Sequence, residues 1–364
     1  MFAIIAVHSL LAWGIHEESR LGWEVQVGLL QTAKFGTIAF YLISGFLLGE
    51  RLHRYTAVEY LLRRLKNIGI PWAIWVTLYI LFPFAKAALV GKTAGRVVFQ
   101  QHVCNVLLSS PYWFVPNYLI ALAVILKFRH RLDDYRCGAV LLIISLFYGV
   151  NIYAKWIPSN HTSAVFGFVF YQWLGNWASR HLERVSLFLD RLPVITLLLV
   201  MIFAGTLALG EAHLLSSLRV ENILNTLRLS NQLFSIVVVL GLMKLRRRCW
   251  PSFVDPRAHT FGLYLVHPVC MFGLIRLFDL VFRFVAHSQP GSLLENYSPF
   301  WSRPLSAVGM WGAMFVVAFG TSLAIVRALS HSVYGWMIAQ PMTVVDAPGS
   351  SASFSRNVDL KRAA

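Results

Sequence analysis

Ten stretches of this sequence are apolar almost throughout, and that pattern decides most of what the chain can become. They lie near 1–15, 35–49, 68–85, 112–127, 137–154, 162–178, 193–210, 230–244, 259–276 and 305–326. A helix crossing lipid takes roughly 17–25 mostly apolar residues, because without water it must close every backbone hydrogen bond within itself. Several of the ten fall short, so their ends are expected to extend into flanking residues, or the bilayer to thin around them. A soluble core explains the pattern less well. The apolar set makes up 57% of the chain, charged residues 13% and mean hydropathy is +0.62, against ~45–50% apolar and ~25% charged in a soluble domain. Many of the 12 Trp residues flank apolar runs, where an amphipathic ring suits the headgroup zone. The expected fold is all-α: a polytopic integral membrane protein of about ten transmembrane helices.

The loops carry the orientation. Of the 32 Lys and Arg residues, 21 fall in alternate connections, at 51–66, 127–136, 180–191, 244–257 and 327–362. Basic residues collect on the cytoplasmic side, so both termini are expected there, as an even helix number requires. The other connections, at 16–34, 86–111, 155–161, 211–229 and 277–304, carry Glu17, Glu18, Glu24, Glu211, Glu221 and Glu295 and read as outer loops. This distribution makes the net charge of +16 a matter of topology rather than of nucleic-acid binding. Cys104, Cys137, Cys249 and Cys270 are scattered without a paired spacing, so neither a disulfide framework nor a metal site is indicated. Residues 1–340 are expected to form one transmembrane domain and 341–364, rich in Ala, Pro, Gly and Ser, a disordered cytoplasmic tail. The first helix is followed by acidic residues rather than a small-residue cleavage site, which reads as a retained span.

Within this apolar background a few residues invite chemistry. His8 lies about 10 Å along the first helix from Met1. An ionisable group at that depth is costly and often functional, although a neutral imidazole bonded to a neighbouring helix explains it equally well. Ser44 and Gly45 interrupt a bulky run in FYLISGFLL, where small residues let helices pack closely. In RRLKNIGIPWAIW, Arg63, Arg64 and Lys66 precede Pro71 and Trp72. They suit an interfacial anchor on composition alone, or a clamp for phosphate oxygens. Tyr112, Trp113 and Phe114 open the fourth helix in the manner of an aromatic belt. In GLYLVHP, His267 precedes Pro268; the proline frees the carbonyl of Tyr264 and is expected to kink the helix at a polar spot. His8 and His267 are placed to share one midplane site above the basic cluster.

Taken in order, these segments resemble the acyltransferase 3 family of membrane acyltransferases. FAIIAVHS is similar to its first-helix His motif, FYLISGFLL to its Ser-Gly-Phe motif at Ser44, Gly45 and Phe46, and RRLKNIGIPWAIW to its basic helix entrance. Trp113 and Phe114 are similar to its Trp-Phe helix start, and GLYLVHP to its late His-Pro motif. The likeness runs from the first helix to the tenth. Two departures stand out. Members usually carry an Arg eleven positions before the first-helix His, and that position precedes Met1, so Met1 is read as an internal or misassigned start; Asn67 stands where many members keep another cation.

The resemblance implies a bacterial inner-membrane enzyme that moves an acetyl group from cytoplasmic acetyl-CoA to a hydroxyl of a carbohydrate or lipid-linked glycan, without a metal. His8 would act as general base, a role worth ~10²–10⁴ in rate. His267 would orient it or stabilise the oxyanion. Arg63, Arg64 and Lys66 would bind the CoA phosphates, and Ser44, Gly45, Phe46, Trp113 and Phe114 would shape the substrate pocket. A secondary transporter or flippase with a midplane His pair is the rival class, and a catalytically silent relative the third possibility.

Overall fold

The computed structural model describes residues 1–11, 20–49, 55–89, 95–245, 254–288 and 304–339, and among them no strand occurs. The expected tail at 341–364 lies outside the described residues. Helices α1 (Phe2–Leu11), α2 (Arg20–Ala33), α3 (Gly36–Gly49), α4 (Ala57–Arg64) and α5 (Ile70–Leu89) form the N-terminal half, with a π-helical turn, Leu65–Gly69, joining α4 to α5. Then follow α6 (Arg96–Ser109), α7 (Phe114–Lys127), α8 (Tyr135–Ala154), α9 (Val169–Arg180) and α10 (Leu182–Arg191). Helices α11 (Val194–Ser217), α12 (Leu229–Leu245), α13 (Pro256–Ser288) and α14 (Pro304–Ser330) complete the chain.

Each of the ten apolar segments contains a helix among its described residues, and several are lengthened by sequence that composition alone assigned to loops. Residues 20–33, placed in an outer loop above, form α2, which runs through the Lys34–Phe35 turn into α3 as one apolar helix, Leu21–Gly49. Residues 96–109 form α6, which meets α7 across Pro111 at a bend of 60°. Helix α11 continues to Ser217 and α13 to Ser288, beyond the expected spans. The cause is the bilayer: a polar residue at the end of an apolar run costs less as another helical turn than as open backbone in lipid. Six helices are long and apolar enough to cross a membrane, or seven with the bent α6–α7 pair as one span; α1 and α12 are apolar but shorter.

Packing is inverted relative to a soluble protein. On α11, Ile195, Leu199, Ile202 and Phe203 are all about 60% exposed, while Gln172, Asn176, Arg228, Asn231 and Ser145 are sealed inside. A continuous apolar exterior around a polar interior fits lipid as the solvent, and the chain is an integral membrane protein. Local signals fix the helix ends. Thr56 accepts a hydrogen bond from the Glu59 backbone N–H to start α4, the T-x-x-E arrangement of a capping box, and Asp134 does the same for α8 through Arg136.

One seam sets the spacing of the bundle. A Cβ on Gly45 of α3 would stand 1.9 Å from the Gln172 carbonyl oxygen of α9, and a Cβ on Gly175 would stand 1.9 Å from the Leu42 carbonyl oxygen. The two glycines therefore let the backbones touch. A second seam brings α1 against α2 and α14, and α14 against α13. Ile5, Met271 and Ala318 form its core. This seam delivers His8 and His267 to one place.

Candidate functional site

His267 is fully buried on α13. Its Nδ1 lies 2.8 Å from the Tyr264 carbonyl oxygen and 3.1 Å from that of Leu263. Pro268 explains the first contact: lacking an N–H, it leaves the Tyr264 carbonyl without its helical partner, and the adjacent imidazole supplies the missing donor. Carbonyl oxygens only accept, so Nδ1 carries the proton and Nε2 holds the lone pair. That Nε2 is buried and has no hydrogen-bond partner among the described residues. The His8 ring lies beside the His267 ring, with centroids 5.4 Å apart and planes tilted by 34°.

His8 also lines a cavity of about 290 Å³. Its walls come from α1 (Ile4, Val7), the α2–α3 turn (Lys34, Thr37), the α6–α7 corner (Ser109, Trp113, Phe114) and two connections that contribute Asn160, His161, Asn222 and Thr226. Trp113 stacks near His161 at 4.4 Å between centroids, and His161 Nε2 lies 3.2 Å from the Thr226 hydroxyl. Burial, with the Lys34 ammonium nearby, pushes His161 down to about 3, so its ring is neutral at physiological pH. Behind this wall a buried polar network braces the 218–228 connection. Arg228 donates to Gln31 and to the Ala208 carbonyl, and Glu211 accepts from Tyr153, Ser230 and the Leu229 N–H. Burial lowers Arg228 to about 10, against the opposing pull of Glu211, and leaves it charged.

The opposite end of the bundle gathers the basic connections. Arg180 of α9 pairs with Asp133 at 2.6 Å, and Lys244 donates to the Leu189 carbonyl. The three cations of the helix entrance part ways there. Arg64 turns inward, and its Nε and Nη2 donate to the Tyr60 hydroxyl at 3.0 and 2.9 Å. Arg63 turns outward to Glu59 at 3.0 Å and over the Tyr55 ring, while Lys66 is exposed on the π-helical turn. Such turns interrupt helices at functional positions more often than elsewhere.

A column of rings joins the two ends. Arg64 is an electrostatic neighbour of Tyr118. Tyr118 stacks with Phe114 at 6.2 Å, Phe114 meets Tyr264 at 5.6 Å, and Tyr264 meets His267 at 6.0 Å. Thus His8, His267, Phe114 and Arg64 belong to one connected set, and Trp113 lines the same cavity as His8. Ser44, Gly45 and Phe46 are not among the residues lining that cavity. The Ser44 hydroxyl donates to the Tyr41 carbonyl of its own helix, and Gly45 serves the α3–α9 contact. Sequence reasoning passed over Lys34, Asn160, His161 and Thr226. The available signal was Lys34, a single cation between LLQTA and FGTIAFYL.

Comparison with known proteins agrees with the motif order. A family model described as an acyltransferase domain, acyltransferase 3, matches residues 1–327. A Staphylococcus aureus (strain MSSA476) protein named "Probable poly-beta-1,6-N-acetyl-D-glucosamine export protein" is 24% identical over 291 residues, covering 74% of this chain and 79% of its own. A Staphylococcus epidermidis protein of the same name is 21% identical over 311 residues, covering 74% and 86%. No solved structure matches the chain significantly. With the family model spanning nearly all of the helical bundle and the His, basic-entrance and His-Pro motifs in its order, the chain belongs to the acyltransferase 3 family.

Proposed function

We propose that this protein transfers an acetyl group from cytoplasmic acetyl-CoA to a hydroxyl of a carbohydrate or glycan acceptor, across a bacterial inner membrane that it spans about ten times with both termini inside. The observation that carries the reading is the His8–His267 pair, ring centroids 5.4 Å apart, with His8 on the wall of a cavity and His267 connected through neighbouring rings to Arg64. The acceptor hydroxyl enters the cavity beside Trp113 and Phe114. His8 takes its proton as the oxygen attacks the thioester carbonyl, and the thiolate of CoA leaves toward the basic end. His267, whose buried Nε2 has no hydrogen-bond partner among the described residues, orients His8 or receives the proton from it in turn. Arg64, with N–H groups to spare beyond its bonds to Tyr60, holds a CoA phosphate, and Arg63 and Lys66 add charge at the rim.

The test is saturable binding of acetyl-CoA to the purified chain, together with movement of labelled acetyl into envelope glycans in membranes. Binding and transfer are both expected; a protein that does neither overturns the reading. The names of the staphylococcal relatives favour a second reading, export of a glycan through the bundle. Glycan release from vesicles without any acetyl-CoA binding would select it.

A further inference from the structure

The cavity beside His8 carries a positive charge that no carboxylate among the described residues neutralises. Lys34 lines it from the α2–α3 turn, and among the described residues its ammonium has no ion-pair or hydrogen-bond partner. No Asp or Glu is among the described residues that line the cavity. Its charged neighbour is another cation, Arg228, and the Glu211 carboxylate that faces Arg228 is already held by Tyr153, Ser230 and the Leu229 N–H. His161, close to Lys34, is neutral and cannot compensate it. The remaining polar lining, Asn160, Ser109, Asn222 and Thr226, offers neutral donors and acceptors. An unpaired cation in a pocket walled by Trp113, Phe114, Ile4 and Val7 is an expensive arrangement unless an anion completes it.

We propose that Lys34 is the binding site for an anionic group of the acceptor, a carboxylate or a phosphate, so that this chain selects an acidic glycan or a phosphate-linked one rather than a neutral sugar. The inference rests on the reading that the acceptor occupies this cavity and adds the class of acceptor to it. The charge pairs in an apolar pocket, where a cation–anion contact keeps more of its strength than in water. A neutral sugar there leaves the ammonium unpaired, and rejection follows from that cost. Lys34 is a binding and specificity residue in this scheme, and takes no part in proton transfer.

The full chain in detergent is titrated by calorimetry with sodium glucuronate, with glycerol 1-phosphate and with glucose, and then with the Lys34→Met and Lys34→Arg variants, each verified as monodisperse. Wild type is expected to bind one or both anions at least tenfold more tightly than glucose, and the anion that binds identifies carboxylate or phosphate as the source. Lys34→Met is expected to lose that preference and Lys34→Arg to keep it. Equal binding of glucose, no binding of either anion, or anion binding that survives in Lys34→Met overturns the proposal. The same preparations are assayed for acetyl transfer from acetyl-CoA. Anion binding that depends on Lys34 in a protein without transfer keeps the anion site and overturns the enzymatic reading, whereas transfer with no Lys34-dependent preference does the reverse.

Discussion

Two helix seams in this bundle carry motifs of equal prominence in the sequence, and they use them differently. Along α3–α9 the small residues Gly45 and Gly175 bring two backbones into contact, and the adjacent hydroxyl of Ser44 is absorbed by its own helix. Along α1–α14–α13 the tight glycine contact is with a side chain rather than a backbone: a Cβ on Gly262 of α13 would stand 3.0 Å from a Val326 methyl of α14. Two imidazoles also meet there, one with its Nδ1 secured and its Nε2 left over. Both seams hold buried polar atoms without a hydrogen-bond partner among the described residues, the amides of Gln172 and Asn176 on the first and His267 Nε2 on the second; what sets the second apart is that it brings two ionisable rings together. A buried polar atom without a partner costs roughly 1–3 kcal/mol, and in an imidazole that atom is also a base.

The sharpest way to break the comparison is to exchange the consequences of mutation between seams. His8→Ala is expected to lower acetyl transfer in membranes by ~10²–10⁴ with thermal stability in detergent little changed; near-normal turnover would remove His8 from the chemistry. Gly45→Val acts in the opposite manner. Its side chain meets the Gln172 carbonyl at a distance no atom tolerates, so the helices must part, at a cost of about 1–3 kcal/mol or more. A loss of folded protein by size-exclusion yield is expected, and full yield would show that the crossing is loose. Arg64→Ala tests the far end of the ring column. Removing a charged hydrogen-bonding group worth about 1.5 kcal/mol is expected to raise the KM for acetyl-CoA roughly tenfold while kcat changes little. A selective drop in kcat would place the guanidinium nearer the reacting atoms. The smallest effects belong to Ser44→Ala and Arg63→Ala. Ser44 donates only within its own helix and Arg63 forms an exposed i,i+4 pair with Glu59, a contact worth about 0.3–0.5 kcal/mol. Stability and turnover close to wild type are expected for both, and a hundredfold loss in Ser44→Ala would return the serine to the site.

Much of this was legible beforehand, for a physical reason. Apolar runs of this length declare helices in lipid because each must satisfy its own backbone there, and each of the ten contains a helix among its described residues, six of the helices long and apolar enough to cross. The pairing of His8 with His267 was readable because ionisable residues in such runs are rare and must face inward. Helix α2 was missed because Arg20, Glu24, Gln26 and Gln31 dilute its apolar face. Only the packing of Val27, Leu30 and Ala33 against Val7, Leu10 and Ala212 reveals it as a buried element. Lys34 was missed for a related reason. A lone cation at the edge of an apolar run reads as an anchor reaching for headgroups, and its place on a cavity wall is set by helix packing that no local pattern encodes. The Ser-Gly-Phe motif was read both ways from sequence, as packing and as pocket; the contacts of Gly45 and Ser44 lie on the packing side.

The two hydrogen bonds that hold His267 Nδ1 have a consequence for proton movement. A histidine that passes protons along a wire must give from one nitrogen and take at the other, swapping tautomers with each passage. With Nδ1 committed to two carbonyl oxygens, this ring has a single open port, and a proton that arrives there must depart by the same door. Under the proposed function, acid–base chemistry at this pair would therefore not open a proton path through the His267 ring across the membrane.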